Sequence, residues 1–551
     1  MRRLLLVLFI AWLAAPAAGQ AAPLSAAEAE RALLDLAGED GDRREAAVKA
    51  LGGTADPKWL EFLAAFRDGN VFSRVKAGKT EVLVGGAKST QGDQEVIELK
   101  APYDGSARGS APLASLKEVA ADRRLRVVIK PFLDADETRT QLADPDPGVR
   151  RSAAVKLGNQ AQPSSAAVIQ DALGKESDGW VRHALAEALA LVQLASGDAA
   201  VRAEAARTLG NLHSTTAMPA LRALAADAAA PAAARAVAAR AVGQIERWSM
   251  LTATVETLFQ GASLASILLL MALGLAIVFG LMGVINMAHG ELMALGAYAT
   301  FVVQNWFRAA WPGAFDYYFL VALPVSFVVA GAVGVVLERG VIRRLYGRPL
   351  ETLLLTWGAS LIIQQALRLW FGAANVDVSS PRWLSGGVPV MVNLTLPYNR
   401  VFIIGLATAA VAVMYWVLFR TGAGLRIRAV TQNRAMSSCL GVRAGWVDAT
   451  TFAVGAGLAG VAGCALTQIG NVGPSLGQNY IVDSFMVVVT GGVGKLAGTI
   501  LAAAGIGGLN KGIEPALGAV FAKVAILVAV ILFLQRRPAG LFATRGRNAE
   551  A

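Results

Sequence analysis

Three polar side chains, Asn286, His289 and Glu291, follow an apolar run directly in the stretch 273–298. An amide, an imidazole and a carboxylate this close together could relay a proton or hold a polar solute. Polar groups at membrane depth are costly unless they face protein, a cavity or the interface, so they mark function by default. The topology argued below places the three residues at the cytoplasmic end of a span. We therefore interpret them as residues that fix the turn between two spans.

Other patterns that could carry chemistry are weak. No Ser/His/Asp, Cys/His or paired-carboxylate arrangement can be assigned, so we do not expect an enzyme. The sequence GGVGKLAG at 491–498 is superficially like a phosphate loop, but Leu496 stands where that loop needs Ser or Thr. We therefore expect this chain to bind no ATP, no other cofactor and no metal ion. The lone residues Cys439, Cys464, His183 and His213 are expected to pack rather than to ligate or react.

The elements that must position such residues fall into two classes. Residues 24–247 are rich in Ala, Arg, Asp and Glu, whereas residues 258–535 consist of apolar runs separated by short polar loops. This pattern predicts a soluble domain at 23–250 and a polytopic transmembrane domain at 251–545. The net charge of +11 lies largely in the loops between apolar runs, so it indicates topology and not a nucleic-acid partner.

The N-terminus is typical of an export signal. Arg2 and Arg3 precede a short apolar core, and small residues follow. This pattern predicts a signal peptide at 1–22. An uncleaved anchor helix is the alternative, and either would deliver the soluble domain outside the cytoplasm.

The soluble half repeats one pattern: an Asp, then Val-Arg, then Ala and Leu at helical spacing. It begins at Asp146, Asp178 and Asp198, with a weaker copy at Asp42. We expect HEAT-like helices that are capped by Asp and bury their apolar faces on their neighbours; an ordinary Ala-rich helical bundle is nearly as good an interpretation. Between them, at about 71–130, the runs TEVLVGG, QEVIELK and RLRVVIK predict a small β-containing insert.

The membrane half predicts eight or nine transmembrane segments in an all-α fold. Under this topology, the predicted cytoplasmic loops hold fourteen Lys and Arg residues and the outer loops hold four. This asymmetry agrees with an exported N-terminal domain. The agreement requires 491–498 to reach the cytoplasmic side, which favours nine segments.

Two further sets of residues are candidates for transport. Polar side chains at or near membrane depth could line a path for a small polar solute, although interhelical hydrogen bonding is an equally good explanation for any one of them. They are Gln364, Gln365, Gln468 and Asp483. The longest predicted cytoplasmic loop, 420–446, contains a short amphipathic helix at 425–440. It could dock a partner protein or lie on anionic lipid.

The combination of motifs resembles the permease subunits of branched-chain amino acid and urea-type ABC importers. The residues that carry the resemblance are GLMGVINMAHGELMALGAY at 280–298, RAVTQNRAMSSCLGV at 428–442, GGVGKLAGTILAA from 491, and the closing RRPAGLF. The resemblance covers about 256–545. With its exported extension, the chain is most similar to the urea permease of that family, although nothing in 24–247 by itself shows urea transport.

This resemblance implies a multi-pass protein of the bacterial inner membrane with a periplasmic N-terminal domain. Its partners would be a second homologous permease, two cytoplasmic ATPases that consume the ATP, and a periplasmic solute-binding protein. It also implies an ATPase-docking segment in the cytoplasmic loop. The residues of that segment would be Arg428, Gln432, Asn433, Ala435, Met436 and Gly441.

Urea import is the leading functional hypothesis from sequence, with import of branched-chain amino acids or short amides as the alternative. An ATP-independent channel or secondary transporter is a hypothesis of another class, and the 420–446 loop discriminates between the classes. A soluble functional domain with a mere membrane anchor is disfavoured, because an anchor does not need so many spans.

Overall fold

The computed structural model describes residues 24–54, 56–76, 79–91 and 94–542. The predicted signal peptide at 1–22 lies outside them. The chain divides into two compact units between Ile245 and Glu246, within one long helix. Each unit is described below by itself.

The first unit begins with three helices, α1 (Ala26–Ala37), α2 (Gly41–Gly53) and α3 (Pro57–Arg67). A five-stranded antiparallel sheet follows, built from β1 (Val71–Lys76), β2 (Lys79–Gln91), β3 (Gln94–Lys100), β4 (Ala107–Pro112) and β5 (Lys117–Glu118). Its strand order is β4-β3-β2-β1-β5, and β2 pairs β3 with Val84 opposite Lys100.

The β-prone run RLRVVIK does not form a strand. It lies in helix α4 (Arg123–Gln141), whose first turn is capped by the Asp122 side chain, which accepts from the backbone N–H of Leu125. Leu125 and Ile129 are fully buried, one helical turn apart, in the core of the first unit. The sequence prediction was wrong here because these apolar positions follow the spacing of a helix face, and tertiary burial outweighs the β preference of Val and Ile.

Paired helices follow. They are α5 (Pro147–Gln160), α6 (Ala166–Lys175), α7 (Gly179–Leu194), α8 (Ala199–Asn211) and α9 (Met218–Ala226). Asp146, Asp178 and Asp198 cap α5, α7 and α8 through their carboxylates, as the repeated pattern predicts. In the weaker copy the cap of α2 is Asp40, and Asp42 lies in the first helical turn.

The long helix α10 (Ala232–Met282) leads into the second unit, which continues with α11 (His289–Ala310), α12 (Tyr318–Gly340) and α13 (Pro349–Phe371). A β-hairpin of β6 (Gly387–Met391) and β7 (Leu394–Pro397) precedes α14 (Tyr398–Arg420). Then come α15 (Gly422–Gln432), α16 (Arg434–Cys439), α17 (Ala444–Leu466), α18 (Leu476–Gly491), α19 (Leu496–Leu517) and α20 (Ala519–Arg536). Short 3₁₀ turns occur at Leu113–Ser115, Pro163–Ser165, Pro312–Tyr317, Ile342–Leu345 and Arg382–Leu384.

Among the described residues, six helical stretches are long and apolar enough to cross a membrane. They are Ala232–Gly280, Pro312–Gly340, Tyr398–Arg420, Ala444–Leu466, Leu496–Leu517 and Ala519–Arg536. Helices α11, α13 and α18 of the second unit are not among the six. The expected eight or nine crossings therefore stay a prediction. Residues 491–498 contain the turn between α18 and α19, in which Gly492 and Gly494 have φ of 96° and 77°.

Helix α17 is the packing centre of the second unit, between α11 and α12. Its small residues allow this close approach: a side chain at Gly463 would collide with the Met293 carbonyl on α11, and one at Gly460 with the Ser326 carbonyl on α12. Close backbone contact of this kind is how helices associate in lipid, where burial of apolar surface gives no driving force.

Candidate functional site

The turn between α10 and α11 is held by contacts within itself, to α10 and to one further helix, α13. The Asn286 side-chain oxygen accepts the backbone N–H of Ala288 at 3.0 Å. The His289 Nε2 lies 3.1 Å from the Met271 carbonyl on α10. The Met287 N–H donates to the Thr356 hydroxyl of α13 at 3.1 Å. These contacts are of the type expected from residues that fix a turn, a role that stays a prediction.

Glu291 behaves differently from the other two residues of this turn. It is 1% exposed, and its Oε1 accepts the Ser360 hydroxyl of α13 at 3.2 Å. Its second oxygen has no hydrogen-bond partner among the described residues, and the same holds for Asn286 Nδ2 and His289 Nδ1. Because buried polar atoms are nearly always paired, three orphans in one place need an explanation.

Gln468, one of the sequence candidates for the solute path, lies on a polar cavity of about 420 Å³. Its Nε2 donates to the Tyr318 hydroxyl at 3.4 Å and to the Thr467 hydroxyl at 3.1 Å, while its buried Oε1 has no partner in the part of the chain that the structure describes. The cavity also carries one carboxylate, Asp377, and one guanidinium, Arg400. Its volume is within the range of small-molecule sites, and its lining could bind both charges of a zwitterion.

The other three path candidates are not brought together. Gln364 is 7% exposed and accepts from the Gln478 amide at 3.5 Å, whereas its neighbour Gln365 points to the exposed side of α13. Asp483 forms an ion pair of 3.1 Å with Lys523, which joins α18 to α20. Consecutive residues of a helix lie about 100° apart around its axis, so Gln364 and Gln365 cannot both face the interior. The structure therefore does not place Gln365 with Gln364.

Sequence reasoning missed a polar row on the buried face of α13. Thr352, Thr356, Ser360 and Gln364 recur every four residues, and each is at most 7% exposed. The opposite face carries exposed Leu354, Trp357, Leu361 and Trp370. The signal was present, since a four-residue polar spacing within an apolar helix predicts an inward polar stripe.

The candidate docking segment is two helices, not the single helix expected at 425–440. The break is at Asn433, whose backbone is extended (φ −151°, ψ 102°) and whose side chain caps α16 by accepting the Met436 N–H at 2.9 Å. Asn competes for the backbone in this way and so favours caps over helix interiors. All six docking candidates are exposed: Arg428, Gln432, Asn433, Ala435, Met436 and Gly441.

Helix α16 is anchored to the helices beside it by charge. The Arg434 guanidinium forms an ion pair with Asp448 on α17 and lies 4.9 Å from the ring centre of Tyr346. The Tyr346 hydroxyl donates to buried Glu338 on α12 at 3.1 Å. Burial raises the pKa of Tyr346, so its phenol stays a neutral donor at physiological pH. One side chain of α16 thus connects it to α17 and, through Tyr346, to α12.

A second cavity, of about 550 Å³, separates α15 from the start of α17. It is lined by two exposed arginines, Arg426 and Arg443, and by the exposed apolar side chains of Leu440 and Trp446. Among the described residues, no group of three or more His, Cys, Asp or Glu side chains is arranged to hold a metal ion.

Comparison with known families gives three matches along the chain. Residues 135–190 match HEAT repeats and residues 201–227 match the PBS lyase HEAT-like repeat. These confirm the HEAT-like interpretation for the two matched ranges, whereas the weaker copy at Asp42 lies outside both. Residues 257–535 match the branched-chain amino acid transport system permease component.

Individual relatives agree with the third match. The chain is 28% identical to the high-affinity branched-chain amino acid transport system permease protein BraD of Pseudomonas aeruginosa, over 52% of this chain and 95% of that protein. It is 29% identical to LivH of Escherichia coli, of the same description, over 52% of this chain and 94% of that protein. It is also 26% identical to the ribose import permease protein RbsC of Escherichia coli, over 51% of this chain and 84% of that protein.

The match covers the helices that hold the turn, the polar row and the docking segment. The described helices and these relatives together make the chain a multi-pass protein of the inner membrane. The chain belongs to the branched-chain amino acid transport system permease component family and is an ABC importer permease.

Proposed function

We propose that this chain imports branched-chain amino acids across the bacterial inner membrane in an ATP-driven importer. The family match over 257–535, with relatives named for that substrate, is the observation that carries the proposal. The cavity beside Gln468 supports it, because Asp377 and Arg400 offer partners for the ammonium and the carboxylate of an amino acid.

Urea is the second candidate substrate. An exported extension like the one expected at 23–250 is the feature by which the chain resembles the urea permease of the family. The carbonyl oxygen of Gln468, which has no partner among the described residues, is an acceptor for a urea N–H. None of the relatives named above carries urea in its name, which is why this candidate comes second. The ribose permease among them shows that this level of likeness extends across substrates.

The importer needs partners that this chain does not supply. Two ATPases would dock on the exposed segment of α15 and α16, a second homologous permease would complete the path, and a solute-binding protein would deliver the solute. The Arg434–Asp448 ion pair supports a coupling role for α16, because a force on α16 would pass to α17 and from there to α11 and α12.

The N-terminal domain would lie in the periplasm. The export signal predicted at 1–22 and the excess of basic residues in the loops predicted to be cytoplasmic support this orientation. Its helical repeats present an extended surface of the kind used for protein binding, so we propose that it guides the solute-binding protein or a neighbouring subunit. A pull-down of the domain that recovers no periplasmic or membrane partner would count against this role.

Uptake by cells with and without this chain tests the substrate. Labelled leucine and labelled urea are compared, each with the unlabelled solutes as competitors. Leucine uptake that depends on the chain supports the first proposal, and urea uptake alone supports the second. Uptake of neither overturns both.

Two further variants separate the functional classes. Replacing residues 428–441 with a neutral linker should abolish uptake and release the ATPases, whereas unchanged uptake would indicate a channel or secondary transporter. Deletion of 24–247 tests the soluble domain: retained transport would mark it as accessory.

A further inference from the structure

The polar row on α13 is continuous with the Asn286–Glu291 turn. Thr352, Thr356, Ser360 and Gln364 stand about 6 Å apart along the helix and together span about 18 Å, given a rise of about 1.5 Å per residue. This length is more than half the thickness of a bilayer core, which is about 30 Å. In the span that the sequence predicts for α13, a row of this length would pass through more than half of the apolar layer.

Each member of the row has a polar neighbour. The Thr352 hydroxyl donates to the Arg348 carbonyl at 2.8 Å, and the Thr356 hydroxyl lies 3.4 Å from the Ile285 carbonyl. Ser360 donates to Glu291 at 3.2 Å, and Gln364 accepts from Gln478 at 3.5 Å. At this last point the row reaches the surface, because Gln478 is exposed.

Besides His289 Nδ1, three side-chain atoms of the row and of the adjoining turn are buried and lack a partner among the described residues. They are the acceptor Glu291 Oε2 and the donors Gln364 Nε2 and Asn286 Nδ2. A buried polar atom without a hydrogen-bond partner destabilises the folded state, so its presence calls for an explanation such as a ligand contact. One acceptor with two amide donors is the complement of a solute that carries N–H groups together with a carbonyl or carboxylate.

We propose that the inward face of α13, with Glu291, forms the solute-conducting surface of this subunit. This inference rests on the proposed import function. Glu291 would accept the N–H groups of the passing solute, and Gln364 would donate to its carbonyl or carboxylate oxygen. Ser360 holds the Glu291 carboxylate in place and is a positioning residue.

The first test measures whether the row meets water, and it does not depend on which solute is carried. In a background without the native cysteines (Cys439→Ser, Cys464→Ala), Ser360→Cys, Gln364→Cys and Gln365→Cys are reacted with a charged, membrane-impermeant thiol reagent in the assembled importer. We expect the first two to react at least about ten-fold faster during ATP turnover than Gln365→Cys, because a charged reagent needs an aqueous path. Equal rates at the three positions, or faster reaction of Gln365→Cys, would overturn the proposal.

The second test measures recognition of the solute. Glu291→Gln and Gln364→Ala should each lower uptake at limiting solute by about ten-fold or more, the size expected for one lost hydrogen bond to a charged or buried group. Gln365→Ala is the matched control, since it removes the same amide from the next position on the same helix. The effect should appear mainly in the KM of uptake, and the ATPases should still co-purify with each variant.

The outcomes separate this inference from the proposed function. If Glu291→Gln no longer assembles with its partner subunits, Glu291 is a structural residue and its proposed role in solute recognition is wrong. If the wild-type importer carries neither leucine nor urea, the proposed function fails, and the thiol test still decides whether α13 lines an aqueous path.

Discussion

The ion pair between Arg434 on α16 and Asp448 on α17 should couple the docking segment to the transmembrane helices. The side chain of Asp448 is 5% exposed and that of Arg434 is 49% exposed. Removal of one partner from a fully buried pair costs about 3–5 kcal/mol, whereas an exposed pair is worth at most about 1 kcal/mol. With one buried and one half-exposed partner, we expect a coupling free energy of about 1–2 kcal/mol, which is roughly a 5- to 30-fold change in an equilibrium.

The perturbation is a double-mutant cycle of Arg434→Met, Asp448→Asn and the combined variant. Arg434→Met leaves a buried carboxylate without its cation, so it should be the more damaging single change. In the combined variant, Asp448→Asn removes that unpaired charge, so Arg434→Met should cost less unfolding free energy there than in the wild-type background. The free energy of unfolding of the purified chain in detergent gives the coupling energy, and solute-stimulated ATP hydrolysis by the assembled importer gives its functional effect.

The control is Arg428→Met, because Arg428 lies on α15 over the Phe419 ring, 5.4 Å from its centre. This variant also removes a guanidinium from the docking segment, but it breaks no ion pair with a carboxylate on another helix that the structure describes. An additive cycle, within about 0.5 kcal/mol, would refute the reasoning. So would an equal loss of unfolding free energy in Arg434→Met and Arg428→Met.

Three further predictions concern the surface, the packing and the charge of the chain. Met436→Asp, at a side chain that is 58% exposed, should weaken ATPase binding by about ten-fold or more in a co-purification titration while the melting temperature of the free chain stays unchanged. Gly463→Leu should destabilise the second unit by more than about 3 kcal/mol, measured by thermal unfolding in detergent, whereas Gly505→Leu, with open space around it, should be nearly neutral. The Arg150 guanidinium lowers the pKa of Glu176 from 4.5 to about 2, so the pair stabilises the first unit above about pH 4.5 and this stabilisation is lost as pH falls towards 2. Amide exchange over 147–194 should show this acid-dependent loss in the wild type and not in Glu176→Gln, and identical profiles would contradict it.

Rules that consider only neighbouring residues in the sequence predicted much of the secondary structure of the first unit. A carboxylate directly before a helical run caps it whatever the surroundings, so the pattern at Asp146, Asp178 and Asp198 located three helix starts and the repeat. They failed for RLRVVIK, because Val and Ile suit either a strand or the apolar face of a helix. The choice depends on what Leu125 and Ile129 pack against, which is a tertiary fact.

The second unit divides in the same way. The amino-acid sequence by itself determined the apolar runs, the charge asymmetry and the family motifs, because length, charge and residue order are local quantities. Only the tertiary structure decided that Gln364 faces inward while Gln365 is exposed, and that Asp483 pairs with Lys523. The rotation of each helix about its axis decides these things, and that rotation is set by the packing of its neighbours. For the same reason Glu291, which in the sequence belongs to a turn, lies in the fold against the polar row of α13.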